Sequence, residues 1–309
     1  MDAESVEAPF SGVVLVNRGD ETLLAEASGY AHRANGVENT VDTRFAIASG
    51  TKGFTALVVV GLIAEGRLEL STRARAVLGD DLPLIDDRVT VEHLLTHTSG
   101  IGDYCDDENP PETPPGLVTS ADYLAALDGY PQQFPPGERF HYHNGAFAVL
   151  ALIAERVAGV PFADLVRTRV TEPAGMADTA FLRSDALPAR TATGYLEDGR
   201  TNVFSLPVVG FGDGGIYSSA PDFRKFWPAF LDGRLVPGEW VDRMLRGAGY
   251  GLGFRLPRPG VVRLEGGDHG VTFVSLHQPS SGVTATLISN DHRGGGPLLR
   301  QLDEFLTKA

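Results

Sequence analysis

Ser49-Gly50-Thr51-Lys52 stands directly before the apolar run Phe54 to Ala64. The spacing of apolar residues from Gly53 to Glu65 predicts a helix that ends near Gly66. Ser49 would then open a helix, with the Lys52 ammonium about 5–6 Å or less from its hydroxyl. A nucleophilic serine needs a nearby base or cation and N–H donors for the oxyanion, and a helix start offers both.

On these two residues alone, a second interpretation is equally good. A chain of this length contains Ser-x-x-Lys by chance about once. Ser49 could simply cap a helix, with Lys52 solvated.

Composition describes a soluble globular chain. Its 309 residues are 42% hydrophobic and 21% charged, which is enough for a large core and two packed subdomains. The net charge of −14 argues against nucleic acid or an anionic membrane as a partner. No apolar run approaches a membrane span, and Met1 to Ser5 lacks the features of a signal peptide, so we expect a cytoplasmic protein unless a leader was trimmed. Oligomeric state is left open.

The single cysteine, Cys105, excludes an internal disulfide. It lies among the acids Asp103 and Asp106 to Glu108, which make it a poor nucleophile. This acidic run is interpreted as a solvated loop, with a position bordering the cleft as the alternative.

Strand patterns occur at both ends of the chain and helical patterns between them. Two N-terminal runs, Phe10 to Val16 and Glu21 to Ala31, predict a hairpin. The predicted helices are Val91 to Leu95, Ala121 to Leu127, Ala146 to Ala158, Asp222 to Leu231 and Pro297 to Leu306; the predicted late strands are Gly251 to Leu256, Val261 to Glu265, Val271 to His277 and Val283 to Ser289. We therefore expect an α+β fold in which residues 1–67 and 205–309 form an antiparallel sheet domain flanked by helices, and residues 68–204 form an inserted, mainly helical lobe. The cleft between them is the default position of a site.

Tyr142 and Asn144 form a second candidate constellation. They stand two residues apart in a loop before a helix, so both side chains can face one cleft. A cation near a phenol favours its anion, which can act as a base. A metal site at His141 and His143 lacks a persuasive third ligand, so we predict no metal and no cofactor. The glycines of Gly210 to Gly215 are interpreted as a turn at the lobe boundary, because no dinucleotide-binding unit surrounds them.

Taken in order, these residues resemble the serine β-lactamase and penicillin-recognising hydrolase superfamily, specifically its class C, D-aminopeptidase and esterase branch. The resemblance covers nearly the whole chain. Its segments are Ser49 to Lys52, Val91 to Ile101, Pro136 to Asn144, Glu172 to Met176, Gly214 to Ser219 and Tyr250 to Gly253.

The resemblance implies a role for each matching residue. Ser49 attacks a carbonyl, Tyr142 takes its proton and later activates water, and Lys52 holds the local positive charge. Asn144 binds the substrate or orders Lys52. The backbone N–H of Ser49 is one oxyanion donor, and water releases the acyl-enzyme.

The third family motif departs from the usual pattern. Relatives carry Lys-Thr-Gly, or a variant with His or Trp, where this chain has Glu265-Gly266-Gly267, which would make Asp268 the second oxyanion donor. An offset match through Asp268-His269-Gly270 stays open. Both lose the lysine that helps relatives hold a substrate carboxylate, and Glu265 would repel such a group.

The sequence therefore predicts a serine hydrolase for small esters or amides, esterase-like or D-aminopeptidase-like. One alternative is a D-Ala-D-Ala carboxypeptidase or class C-like β-lactamase, favoured by the fold alone. A second is a non-catalytic binding protein on the same fold.

Overall fold

The computed structural model describes residues 10–104, 116–291, 298, 301 and 302. Cys105, the acidic run Asp106 to Glu108 and most of the predicted closing helix lie outside them. The strands are β1 Gly12–Arg18, β2 Glu21–Ser28, β3 Tyr30–His32, β4 Val37–Glu38, β5 Arg44–Ala46, β6 Ala180–Phe181, β7 Ile216–Ser219, β8 Gly249–Tyr250, β9 Arg255–Arg258, β10 Val261–Asp268, β11 Val271–Gln278 and β12 Val283–Ser289. The helices are α1 Thr51–Ala64, α2 Ala74–Leu78, α3 Val91–Leu95, α4 Ser120–Leu127, α5 Asn144–Ala158, α6 Phe162–Val166, α7 Glu172–Ala174, α8 Ala220–Leu231 and α9 Gly238–Met244.

A seven-stranded antiparallel sheet joins the two ends of the chain. Its strand order is β2-β1-β12-β11-β10-β9-β8. β1 pairs with β12 in the register Gly12 to Ser289, so strands nearly 280 residues apart are neighbours. The predicted α+β fold, with a sheet built from both termini, is confirmed. Most observed strand bounds differ by a few residues, where turns and a bulge interrupt the apolar alternation. The predicted strand Gly251 to Leu256 is wrong over 251–254, which form the connection between β8 and β9.

The middle of the chain supplies the helices that cover the site. α3 has the predicted bounds, and Thr90 caps it through its side-chain oxygen. α5 begins two residues earlier than predicted because His143 accepts a hydrogen bond from the Ala146 N–H and acts as its N-cap. It ends at Gly159 in the left-handed conformation, as expected from the sequence.

Helix α1 is central to the core. Twelve of its fourteen residues are buried, because a helix that is apolar on every face can be stable only inside a protein. Gly53 lets Leu264 of β10 approach, since a Cβ at Gly53 would lie 2.5 Å from a Leu264 methyl carbon. This packing holds the N-terminal end of α1, which carries Lys52 and directly follows Ser49, against the sheet.

The division into two lobes stays a proposal. Part of the predicted helical segment returns to the sheet side, since β6 pairs with β7 and the Tyr195 N–H donates to the Asn290 carbonyl at 3.0 Å. In the described part of the chain, no single helix is long and apolar enough to cross a membrane; only a pair bent by 84°, 144–158 with 162–174, passes that test jointly.

Candidate active site

Ser49 lies in a short 3₁₀ turn, Ala48–Gly50, immediately before α1. The prediction that Ser49 opens a helix is therefore correct apart from the tighter first turn. Ala48 has a φ of 45°, a left-handed conformation that is uncommon for a residue with a side chain. The Thr51 hydroxyl donates to the Ala48 carbonyl at 2.8 Å and accepts from the Ile216 N–H at 3.1 Å. These bonds hold the strained turn in place, and such strain is often found at functional sites.

Lys52 is buried behind Ser49, with 2% of its surface exposed. Its Nζ donates to Ser49 Oγ at 3.0 Å, to Asn144 Oδ1 at 2.7 Å and to the Asp213 carbonyl at 2.7 Å. An ammonium has three hydrogens, and here three acceptors take them. This arrangement suits a lysine that stabilises negative charge at Ser49, since two of its three partners, the Asn144 Oδ1 and the Asp213 carbonyl, can only accept.

Tyr142 stands beside this ammonium in the loop before α5. Its ring centroid is 5.0 Å from Lys52 Nζ and 5.2 Å from Arg255 Cζ. The His97 ring packs on it, with centroids 4.5 Å apart. Two cations therefore lie close to the Tyr142 ring, one from the predicted helix start and one from β9.

Asn144 is the first residue of α5, and its amide orders Lys52. The backbone below it is fixed by Asp103, whose carboxylate accepts from the Asn144 N–H at 2.8 Å and the Gly145 N–H at 2.9 Å. A carboxylate on these free N–H groups stabilises the helix start. Of the two roles considered for Asn144, the geometry favours the ordering of Lys52.

The third-motif candidates occupy the end of β10. A Cβ placed on Gly266 would lie 2.2 Å from the Ile47 carbonyl and 2.7 Å from the Ser49 nitrogen, so this strand runs directly against the nucleophile turn. Gly267, Asp268 and His269 are exposed toward the β10–β11 turn. There the His269 carbonyl accepts from the Asn202 amide at 2.8 Å. The geometry favours Glu265-Gly266-Gly267 over the offset match.

Glu265 is not an isolated negative charge, contrary to the sequence-based expectation. Its two carboxylate oxygens bind Arg255 Nε at 2.7 Å and Arg263 Nη2 at 2.5 Å. The three side chains together carry a net positive charge. The sequence interpretation missed this because Arg255 lies on another strand and meets Glu265 only when β9 pairs with β10.

The Beta-lactamase family model matches residues 4–298 of the chain. The chain belongs to the beta-lactamase family. It is 30% identical to esterase EstB of Burkholderia gladioli, over 78% of this chain and 74% of EstB. It is 32% identical to a D-aminopeptidase of Brucella anthropi, over 82% of this chain and 50% of that protein. The crystal structure of a penicillin binding protein from Bacillus halodurans superimposes with a TM-score of 0.89 at 34% identity, covering 96% of this chain and 97% of the other.

Two contributors to this beta-lactamase family site were missed by sequence reasoning. Asp213 was assigned to a flexible turn, yet its carbonyl binds Lys52 and its carboxylate accepts from the Tyr104 hydroxyl at 2.6 Å. Burial raises the pKa of Asp213, and the Lys52 ammonium opposes that shift. The adjacent glycines in 210–215 were the available signal, because they allow the backbone to approach α5 and the Lys52 pocket closely.

His97 is the second missed residue. It is fully buried and has a φ of 56°. The His143 N–H donates to its Nδ1 at 3.1 Å, and the His141 N–H donates to its carbonyl at 2.8 Å. Burial, followed by the charge of Lys52, lowers the pKa of His97 well below its ordinary value. A neutral His97 therefore holds the backbone on both sides of Tyr142.

Proposed function

We propose that this protein is a serine hydrolase that cleaves small esters or amides through an acyl-enzyme on Ser49. The observation that carries the proposal is the contact of the buried, fully bonded Lys52 ammonium with Ser49 Oγ, 3.0 Å away, beside the Tyr142 phenol. Lys52 supplies charge and Tyr142 supplies a base, which together form the minimum set for activating a serine.

In the proposed first step, the Tyr142 phenolate takes the Ser49 proton as Oγ attacks the substrate carbonyl. The bond to the leaving group then breaks, and Tyr142 returns the proton to the departing oxygen or nitrogen. In the second step Tyr142 takes a proton from water as the oxygen attacks the Ser49 ester; the bond between the acyl carbon and Ser49 Oγ then breaks, Tyr142 returns the proton to Oγ, and the acid is released with Ser49 regenerated. The Ser49 N–H, with the Asp268 N–H as the second donor, would stabilise the oxyanion in both steps.

Support for small esters or amides comes from the chain's relatives. One is an esterase and another a D-aminopeptidase, and both match this chain over most of its length. A D-Ala-D-Ala carboxypeptidase or β-lactamase activity is less well supported, because the third-motif lysine is absent and the two nearby arginines, Arg255 and Arg263, share their charge with Glu265. A non-catalytic binding protein would not need the Ser49, Lys52, Tyr142 and Asn144 arrangement.

We also propose that the cleft between the sheet domain and the helical lobe holds the substrate. A cytoplasmic location stays a prediction.

The test is covalent labelling of Ser49. The intact protein is incubated with a fluorophosphonate probe and weighed by mass spectrometry. We expect a single adduct that is absent in Ser49→Ala and retained in Ser71→Ala, an exposed-turn control. A folded wild-type protein that forms no adduct would favour the binding-protein alternative. A panel of p-nitrophenyl esters, D-amino acid amides, nitrocefin and a D-Ala-D-Ala peptide would then identify the substrate class.

A further inference from the structure

A second phenol lies next to the candidate site and has no role in the mechanism above. Tyr250 ends β8, the edge strand of the large sheet, and its hydroxyl is 3.0 Å from His97 Nε2. The Arg255 guanidinium faces both phenols, with Cζ 5.6 Å from the Tyr250 ring centroid and 5.2 Å from that of Tyr142. Tyr250 therefore borders the same space as Tyr142: its hydroxyl meets the Nε2 edge of the His97 ring, on which the Tyr142 ring packs.

The other hydrogen bond of the His97 ring fixes the direction of the hydrogen bond between His97 and Tyr250. The His143 backbone N–H can only donate, so His97 Nδ1 is the acceptor and carries no proton. In a neutral imidazole the other nitrogen then bears the hydrogen. His97 Nε2 must donate to the Tyr250 oxygen, and the Tyr250 hydroxyl is obliged to direct its own hydrogen elsewhere.

The Tyr250 hydroxyl hydrogen has no acceptor among the residues that the structure describes. Burial raises the pKa of Tyr250 well above its ordinary value, and the nearby Tyr142 adds to this shift, so the hydroxyl keeps its proton. Tyr250 itself is only partly buried. A protonated hydroxyl whose oxygen is already occupied is a hydrogen-bond donor directed at whatever enters this part of the cleft.

We infer that Tyr250 is a substrate-binding residue that donates a hydrogen bond to an oxygen of the leaving group, and that His97 is the positioning residue that orients it. The inference rests on the proposed function. We place the bound oxygen on the leaving-group side for one reason. The Arg255 guanidinium lies near the rings of both Tyr250 and Tyr142, and Tyr142 would protonate the leaving group. Since both Arg255 and Tyr250 are donors, the ligand they suit is a carbonyl or carboxylate oxygen close to the scissile bond.

The experiment uses three acetate esters that differ only in the alcohol: isopropanol, lactamide and lactate. The first has no acceptor oxygen, the second has a neutral carbonyl and the third a carboxylate. We expect Tyr250→Phe to lower kcat/KM for the lactamide ester, the lactate ester or both about tenfold, the effect of one lost hydrogen bond, and to leave isopropyl acetate unchanged. The ester that responds more strongly identifies which oxygen is bound.

His97→Asn tests the positioning role. Asparagine tolerates a positive φ, and its carbonyl can still accept from the His143 N–H, but it is too short to reach Tyr250. The readout is kcat/KM for an acceptor-bearing ester divided by kcat/KM for isopropyl acetate. We expect His97→Asn to lower this ratio as much as Tyr250→Phe does, and the double variant to lower it no further. Should Tyr250→Phe fail to fold, His97→Asn gives the same measurement.

Tyr195→Phe is the matched control, because the Tyr195 hydroxyl also accepts a partly buried hydrogen bond, from the Arg33 N–H at 2.7 Å, outside the proposed site. It should leave the ester ratio unchanged. If Ser49 is labelled but Tyr250→Phe leaves all three esters unchanged, or lowers them equally, the inference is wrong and the proposed function stands. If wild-type Ser49 is not labelled, the proposed function fails, and this inference fails with it.

Discussion

At the scale of single residues, the site depends on how a few buried charges are paired. Lys52 is almost completely buried, and a buried ammonium is costly unless every hydrogen finds an acceptor. Its partners come from three separate parts of the chain: Ser49, Asn144 and Asp213. Removing the charge and removing the base should therefore have different consequences.

Tyr142→Phe should remove the base and little else. We expect kcat to fall about 10²- to 10⁴-fold, the usual contribution of a general base, with KM and melting temperature little changed. Lys52→Met should also abolish activity, but it leaves the Asn144 and Asp213 oxygens without their donor, at a cost of about 1–3 kcal/mol in the free energy of unfolding. Steady-state kinetics and urea unfolding separate the two effects; equal stability losses in Tyr142→Phe and Lys52→Met would contradict this account.

Glu265→Gln should change the preference of the enzyme between carboxylate-bearing and neutral esters. It frees Arg255 and Arg263 from a shared carboxylate, and partly exposed ion pairs contribute up to about 1 kcal/mol. We expect turnover of a carboxylate-bearing ester to rise about two- to fivefold relative to a neutral ester, and Glu265→Lys to act in the same direction. The measurement is kcat/KM for the carboxylate-bearing ester divided by kcat/KM for the neutral ester, taken at low and at high salt. An unchanged ratio would mean that Glu265 does not influence the substrate.

At the scale of secondary-structure elements, one close contact positions Ser49, the proposed nucleophile. Strand β10 passes so near the Ser49 turn that Gly266 has no room for a side chain, whereas Gly267 is open to solvent. Helix α1 packs on the same strand through Gly53 and Leu264. The 3₁₀ turn is thus held between a helix and a strand that are far apart in the sequence.

Gly266→Ala and Gly267→Ala form a matched pair that tests this contact. The added methyl at 266 must displace either β10 or the Ser49 turn, so we expect a loss of about 1–3 kcal/mol in unfolding free energy together with a large fall in Ser49 labelling rate. The methyl at 267 meets no atom within 4 Å and should be tolerated. Differential scanning calorimetry and labelling kinetics measure both effects. Similar behaviour of the two variants would show that β10 does not constrain the turn.

At the scale of the whole molecule, several histidines are buried without charge. Burial lowers the pKa of His97 and His143 and brings that of His277 to about 4. His277 packs under the Trp227 ring and its Nδ1 lies 2.8 Å from the Thr284 hydroxyl. When the chain unfolds, each of these rings takes up protons at an ordinary pKa.

Stability should therefore fall on acidification. For His277 the folded pKa lies below the unfolded one, so its contribution is complete above about pH 6.5 and is lost as the pH falls toward 4, by at most about 3 kcal/mol. His277→Gln should lose less unfolding free energy than the wild type between pH 7 and pH 4.5. Urea unfolding at the two pH values gives this difference directly. An identical loss in both proteins would show that His277 does not titrate differently on folding.

The sequence by itself determined most of the secondary-structure elements and indicated Ser49 as the candidate nucleophile. Apolar periodicity is a local property, so it predicted α3, α5, α8 and the last three strands, β10 to β12, and the ordered motifs predicted the family. The spacing of Ser49 and Lys52 along one helix turn predicted their contact, because backbone geometry within four residues is nearly fixed.

Only the tertiary structure decided which distant groups complete the site. Asp213 is 161 residues from Lys52, and Tyr250 is 153 residues from His97, so no local pattern connects them. Glu265 shows the difference most clearly: its residue type predicted an uncompensated negative charge, and the pairing of β9 with β10 surrounds it with two arginines. The physical reason is that charge and hydrogen-bond partners are set by proximity in space, which the strand register determines.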